Sequence, residues 1–237
     1  MTKELKPHDR TRRVMVGGVP VGGGAPVAVQ SMLNAPADDV AANLAQIEAL
    51  AEAGCEIVRM AIPRRDCLDT FEAVCVASPL PVVADIHFDA RIAIEAAARG
   101  AAKLRINPGN IGGLEATREV IAAAAASHIP IRIGVNAGSL DDAIAARQDL
   151  TLPEKLVASA TEYVRFFEDE CNFHDIAVSA KAHDVQTTID TYRLLAAELG
   201  LPDDLSAKAL LQAVNLVAGA AGYERAVRKV KETLETL

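Results

Sequence analysis

The chain has 237 residues, of which 51% are hydrophobic, and a formal net charge of −8. This length suits one α/β barrel or two smaller domains, and the hydrophobic content excludes an extended disordered chain. Aromatic residues make up only 3% and the net charge is negative, which disfavours a nucleic-acid stacking platform and non-specific binding to a phosphate backbone. Any anion site must therefore be a local cationic pocket within an acidic protein.

The first 13 residues are polar and lack an apolar signal region, so we expect a loose arm there. A Gly-rich β-hairpin is predicted at residues 14–25, where alternating valines flank the turn dipeptide Gly17-Gly18. Such a hairpin is placed to close the amino-terminal end of a barrel. No apolar run in the sequence approaches the ~18 residues of a membrane span, and we expect a cytoplasmic protein.

Six short apolar runs follow, each ending in polar residues and each followed by a helical pattern: residues 27–31, 57–61, 82–87, 103–107, 131–136 and 175–181. This alternation predicts the parallel sheet of a TIM-type (β/α) barrel, which needs eight strands when complete. Residues 201–237 show two helical patterns and no further strand. We therefore predict an incomplete barrel over residues 14–200 and a helical tail over residues 201–237.

Polar residues recur two positions apart within these runs, so they share one face of their strands. Leu104 and Ile106 point the other way, towards the covering helices. Polar side chains at the carboxyl ends of successive parallel strands are typical of the ligand site of an α/β barrel.

Basic residues lie on the predicted inward face of four different strands. A buried cation is costly unless it is paired with an acid or bound to an anion, and a guanidinium group matches two phosphate oxygens at once. The pattern predicts a multiply charged anion such as diphosphate, whereas the alternative is a set of structural ion pairs to Asp85 or other acids. The four residues are Arg59, Arg105, Arg132 and Lys181.

The third run ends in Asp85-Ile86-His87. His87 is a candidate proton donor or phosphate ligand, and Asp85 on the same face can fix its tautomer, so both are candidate catalytic residues. Amides and hydroxyls at strand ends donate to phosphate oxygens. The candidates of this kind are Gln30, Asn107, Asn136, Ser139 and Ser179.

The chain carries four cysteines with no Cys-x-x-Cys pair and no zinc-like spacing: Cys55, Cys67, Cys75 and Cys171. We interpret them as buried, reduced thiols, and we predict no metal ligands in this chain.

Several segments resemble the 4-hydroxy-3-methylbut-2-enyl diphosphate synthase family, which acts in the methylerythritol phosphate route to isoprenoids. The resemblance runs from about Arg12 to Leu199, and its most specific stretches are Asp-Ile-His-Phe-Asp and Arg-Ile-Asn-Pro-Gly-Asn-Ile-Gly. The segments that carry it are residues 29–32, 53–59, 84–89, 104–112 and 131–139.

The resemblance implies a barrel that binds the cyclic diphosphate of methylerythritol and opens its ring by a two-electron reduction with loss of water. It also implies a [4Fe–4S] cluster that receives electrons from ferredoxin or flavodoxin, and a homodimer in which one subunit's cluster domain covers the other's barrel. The positions that match the family's diphosphate ligands are Arg59, His87, Arg105, Asn107, Arg132, Asn136 and Lys181.

The chain departs from the family pattern in one important respect. The three cysteines and the glutamate that hold the family's cluster are not recognisable after Leu199, and smaller departures occur at Leu33, Ala35 and His183. We therefore expect a truncated or rearranged member that supplies the diphosphate-binding barrel, needs a partner for the cluster and is inactive alone.

Two alternatives stay open at this stage. One is a non-redox enzyme on a phosphorylated substrate, comparable to pterin-binding transferase barrels, with His87 or Asp85 as general acid or base. The other is a non-catalytic diphosphate-binding or assembly module.

Overall fold

A computed structural model describes residues 11–199 of the chain. Within them, a two-stranded antiparallel hairpin precedes a six-stranded sheet in which every pair of neighbours is parallel. The hairpin strands are β1 (Val14–Val16) and β2 (Val19–Val21). The sheet strands are β3 (Gln30–Met32), β4 (Ile57–Ala61), β5 (Val82–Asp85), β6 (Lys103–Ile106), β7 (Ile131–Asn136) and β8 (Ile176–Lys181). The predicted tail at 201–237 and most of the predicted arm lie outside the described residues.

Helices follow the sheet strands along the chain, with two of them between β7 and β8. The helices are α1 (Val40–Glu52), α2 (Leu68–Ala77), α3 (Ala90–Ala98), α4 (Gly113–Ala126), α5 (Asp142–Ala145), α6 (Leu152–Arg165) and α7 (Val185–Glu198). Asp39 and not Asp38 caps α1, because its Oδ1 accepts a hydrogen bond from the N–H of Ala42 at 2.9 Å. Gly54, at φ +91°, follows the end of α1, where the left-handed backbone favours glycine.

The six parallel strands are ordered in the sheet as they are in the sequence, from β3 to β8. In a flat sheet β3 and β6 would stand roughly 14 Å apart, at about 4.8 Å per strand. The Nζ of Lys103 on β6 nevertheless lies 3.3 Å from Oε1 of Gln30 on β3. The strands therefore curl around a common interior, which confirms the predicted incomplete TIM barrel.

The main hydrophobic core lies between the outer face of this sheet and its helices. Leu104 and Ile106 of β6 are fully buried there, as are Ile131 and Ile133 of β7. These side chains alternate with the inward-facing polar residues. Each face of the strands therefore carries the residues that the two-residue period predicts.

The hairpin packs against the amino-terminal ends of the strands, in the place that the sequence predicts. Val16 is completely buried and contacts Ile57 and Val83, which lie at the starts of β4 and β5. This contact closes the end of the barrel opposite to the polar strand ends.

None of the helices within residues 11–199 has the length and hydrophobicity of a membrane-spanning helix.

The hairpin turn depends on a glycine at position 17. Gly17 has φ +57°, and a Cβ there would lie 2.9 Å from Cβ of Pro81. We expect Gly17→Ala to lower the free energy of unfolding by about 1–2 kcal/mol, because an L-residue is strained in this backbone region. Urea unfolding measures the effect. Gly18→Ala is the matched control, since nothing lies within 4 Å of its Cβ position; equal losses in the two variants would contradict the packing described for the hairpin.

Candidate active site

One carboxylate organises the carboxyl-terminal end of the strands, which we call the barrel mouth. Asp85 ends β5 and is fully buried. Its Oδ2 lies 3.3 Å from Nε of Arg59 on β4, and its Oδ1 lies 3.3 Å from Nη1 of Arg105 on β6. Two guanidinium groups from the flanking strands thus share a single negative charge.

His87 lies two residues beyond Asp85, at the rim of the same cluster. Its Nε2 is 3.7 Å from Oδ2 of Asp85, which is an ion-pair distance for a protonated ring but too long for a hydrogen bond. The side chain is 44% exposed, whereas Asp85 is not exposed at all. His87 is therefore open to solvent and to a bound molecule on one side.

Arg132 on β7 is a third guanidinium in this interior. Among the described residues its side chain takes part in no hydrogen bond and no ion pair. Burial lowers its pKa to about 10, and the charge of Arg59 contributes further. The charge of Asp85 acts on the pKa of Arg132 in the opposite direction, but Arg132 lacks the direct contact that Asp85 makes with Arg59 and Arg105.

Lys103 is a fourth buried cation, and sequence reasoning missed it. It stands two residues before Arg105 on the same face of β6, so the two-residue period of the strand could have placed Lys103 on the inward face. Its Nζ donates to Gln30, and only 6% of the residue is exposed. Burial lowers the pKa of Lys103 to about 7, with smaller contributions from Arg132 and Arg59.

Asn107 joins two loops at the barrel mouth. Its Nδ2 donates to Oγ of Ser139 at 2.9 Å, and its Oδ1 accepts from the N–H of Gly109 at 3.2 Å. Both ends of this buried amide are therefore engaged in holding the loops that follow β6 and β7. The structure thus brings the predicted ligands Asn107 and Ser139 into contact, and this contact shapes the rim of the barrel mouth.

The remaining predicted residues lie on β7 and β8. Asn136 is paired in register with Lys181, and Gly134 with Ser179. Lys181 is exposed, and in residues 11–199 its side chain has no hydrogen bond or ion pair. It stands at the edge of the mouth, on the opposite side of the barrel from Arg59.

A cavity of about 450 Å³ lies between β8, α7 and the hairpin, next to this cluster. Its size is within the range of small-ligand sites. Its polar lining includes Gln30, Lys103, Arg132, Ser179 and Tyr192. A larger groove of about 730 Å³ lies on the outer side of α6 and α7 and contains none of the predicted site residues.

The described residues do not fit an iron–sulfur cluster. No group of three or more His, Cys, Asp or Glu side chains within residues 11–199 is arranged to hold a metal ion. The four cysteines are free thiols, and Cys55 and Cys67 are buried. Burial raises the pKa of Cys55 and raises that of Cys75 to about 12, which disfavours the thiolate form that binds metals.

The buried Lys103 makes stability depend on pH. Its pKa falls from 10.5 to about 7 on folding, so between these values the unfolded chain binds one more proton and stability rises with pH. We expect Lys103→Met to be more stable than the wild type near pH 7, and the difference to shrink towards pH 9 by up to about 1.4 kcal/mol per pH unit. Urea unfolding at several pH values measures it, with Lys181→Met as the control for loss of a lysine. A difference in stability that does not change with pH would contradict the lowered pKa of the buried Lys103 amine.

A family model described as the GcpE TIM-barrel domain matches residues 11–206 of this chain. Curated relatives named 4-hydroxy-3-methylbut-2-en-1-yl diphosphate synthase (flavodoxin) include one from Bifidobacterium longum, 49% identical over 195 residues, which are 82% of this chain and 48% of the relative. Another, from Maridesulfovibrio salexigens, is 44% identical over 211 residues, which are 89% of this chain and 58% of the relative. The chain spans about half the length of the curated relatives it matches.

Solved structures of the same fold include a dihydropteroate synthase from Coxiella burnetii in complex with pteroic acid, with a TM-score of 0.58 and 11% identity, covering 96% of this chain and all of that one. The 7,8-dihydropteroate synthase from Vibrio fischeri has a TM-score of 0.57 and 14% identity and covers 95% of each chain. At such identities the likeness bears on the fold alone. The family match and the identity to the synthases go further, and together they show that this chain belongs to the GcpE family.

Proposed function

We propose that this chain is the substrate-binding barrel of a 4-hydroxy-3-methylbut-2-enyl diphosphate synthase, and that it binds 2-C-methyl-D-erythritol 2,4-cyclodiphosphate. One observation carries the proposal: four basic side chains from three strands lie in one interior, and two of them contact the same buried carboxylate. Arg59 and Arg105 contact Asp85, which is the one buried acid within the described residues, and the other two basic side chains are Arg132 and Lys103.

The charge balance explains why a diphosphate suits this site. A cation without a counter-charge is costly in a buried position. One contact with a phosphate oxygen at about 4 Å gains roughly 4 kcal/mol at an effective dielectric constant of about 20, before desolvation. A dianionic or trianionic ligand offsets the excess that Asp85 leaves, and guanidinium groups can bind its oxygens in pairs.

The side chains divide into two roles under this proposal. Arg59 and Arg105, held by Asp85, orient the diphosphate, and Lys181 closes on it from the opposite edge. His87 is placed at the rim, where its Nε2 can hold a proton and deliver it to an oxygen that leaves as water.

Reductive ring opening also consumes two electrons, which a [4Fe–4S] cluster supplies in the family. The residues described do not fit such a cluster, so we assign binding, orientation and proton delivery to this barrel and no electron transfer. We take flavodoxin as the donor, in keeping with the names of the relatives, which include it. We propose that the active assembly is a homodimer, or a complex with a partner, that brings the cluster to the barrel mouth.

The pterin-binding alternative rests only on the fold that the chain shares with dihydropteroate synthases. Sequence identities of 11% and 14% are too low to assign the ligand of those proteins to this chain, whereas the synthase relatives are 44% and 49% identical. The comparison favours the diphosphate proposal.

Binding of the cyclic diphosphate tests the proposal directly. We expect Arg105→Ala to weaken binding by about 1.5–3 kcal/mol, the range for a hydrogen bond to a charged group. Calorimetry with the full chain measures it. Arg193→Ala is the matched control, because it removes the same charge from an exposed position on α7. Unchanged affinity in Arg105→Ala would remove this residue from the site, and a wild-type chain without affinity would refute the proposal.

The proposal also predicts the metal content of the chain. Purified alone, it should be colourless and contain far less than the four iron atoms of a [4Fe–4S] cluster, because its described cysteines form no ligand set. Iron analysis and visible absorption measure this. A brown protein with about four iron atoms per chain would show that our interpretation of the cysteines is wrong.

A further inference from the structure

The guanidinium group of Arg105 lies directly on the backbone of β7, at Gly134. A Cβ atom at Gly134 would be 2.8 Å from Nη2 of Arg105, 2.9 Å from its Nε and 3.2 Å from its Cζ. Cβ atoms hardly ever come within 3.0 Å of such neighbours. The backbone of Gly134 is not in the left-handed region, so alanine would meet no backbone strain there. The close approach of the Arg105 side chain is therefore what requires a glycine at this position.

Arg105 is confined on its other sides as well. Its Nη1 contacts Oδ1 of Asp85 on β5, and its side chain is only 13% exposed. On β7 its register partner is Arg132, a residue of the same charge. The open position on β7 is Gly134, two residues further along, where the inward-facing side chain is missing. A guanidinium that spans from β5 to β7 across its own strand needs this gap.

We infer that Gly134 is a positioning residue, whose missing side chain allows the Arg105 guanidinium to lie across β7 while it contacts Asp85. The inference rests on the proposed function, because Arg105 is assigned there to diphosphate binding. A methyl group at position 134 would displace the tip of a flexible side chain and no backbone atom. The substitution should therefore disturb the orientation of Arg105 far more than the stability of the barrel.

A double-mutant cycle tests whether Gly134 acts through Arg105. We expect Gly134→Ala to weaken binding of the cyclic diphosphate about tenfold in the wild-type background, in the range of coupling between neighbours. In the Arg105→Ala background the same substitution should change affinity by less than about twofold, because the group it displaces is gone. Wild-type affinity in Gly134→Ala, or equal losses in both backgrounds, would overturn the inference.

Gly18→Ala is the control for the glycine-to-alanine change, since its added methyl group meets nothing within 4 Å in the hairpin. It should bind like the wild type. If Gly134→Ala alone does not fold, the double variant with Arg105→Ala decides: recovery of the fold supports the inference. Failure of both variants to fold shows that the methyl group meets something other than Arg105, and it overturns the inference.

A measurement on the protein without ligand tests this inference independently of the proposed function. The Nε–H signal of Arg105 in nuclear magnetic resonance, assigned by its loss in Arg105→Ala, should shift in Gly134→Ala and stay in place in Gly18→Ala. If the wild type binds no cyclic diphosphate, the proposed function fails, and this signal still decides whether Gly134 sets the position of Arg105. An unchanged signal overturns the inference alone.

Discussion

The buried carboxylate of Asp85 is the constraint on which the barrel interior depends. A carboxylate with no exposed surface is costly without a cation, and the guanidinium groups of Arg59 and Arg105 are costly without it. The carboxylate and the two guanidinium groups therefore stabilise each other. Lys103 and Arg132 add two further basic groups to the same interior, and burial lowers the pKa of both. Under the function proposed above, an anionic ligand offsets the positive charge that remains in this group.

The architecture places this group at one end of the sheet. Strands that are parallel and ordered as in the sequence bring all their carboxyl ends to the same side, and the hairpin covers the other side through Val16. The helices need only apolar contact with the outer face, which Leu104 and Ile131 supply. The polar cluster and the apolar contacts thus lie on different ends and faces of the same strands, the arrangement by which other barrels of this kind separate chemistry from stability.

Much of this follows from the two-residue period of a strand, which was enough to predict the faces of β6 and β7 and the convergence of the arginines. Lys103 was missed because a lysine at the start of a strand usually reaches solvent, and its burial depends on the curl of the sheet towards Gln30. The role of Gly134 depends on the conformation of a side chain on another strand, which no local pattern encodes. The short helix α5 could not be predicted, since four residues carry too little periodicity.

The uncompensated amine of Lys103 has a consequence for how the barrel can change. A residue that opposes folding near neutral pH is a natural target for stabilising substitutions, and a methionine there would remove the penalty. The same change would take one basic group from the interior that we propose binds the diphosphate. If the interior binds an anion as proposed, selection for heat resistance and selection for affinity would act on this position in opposite directions, as is common where activity requires a destabilised group.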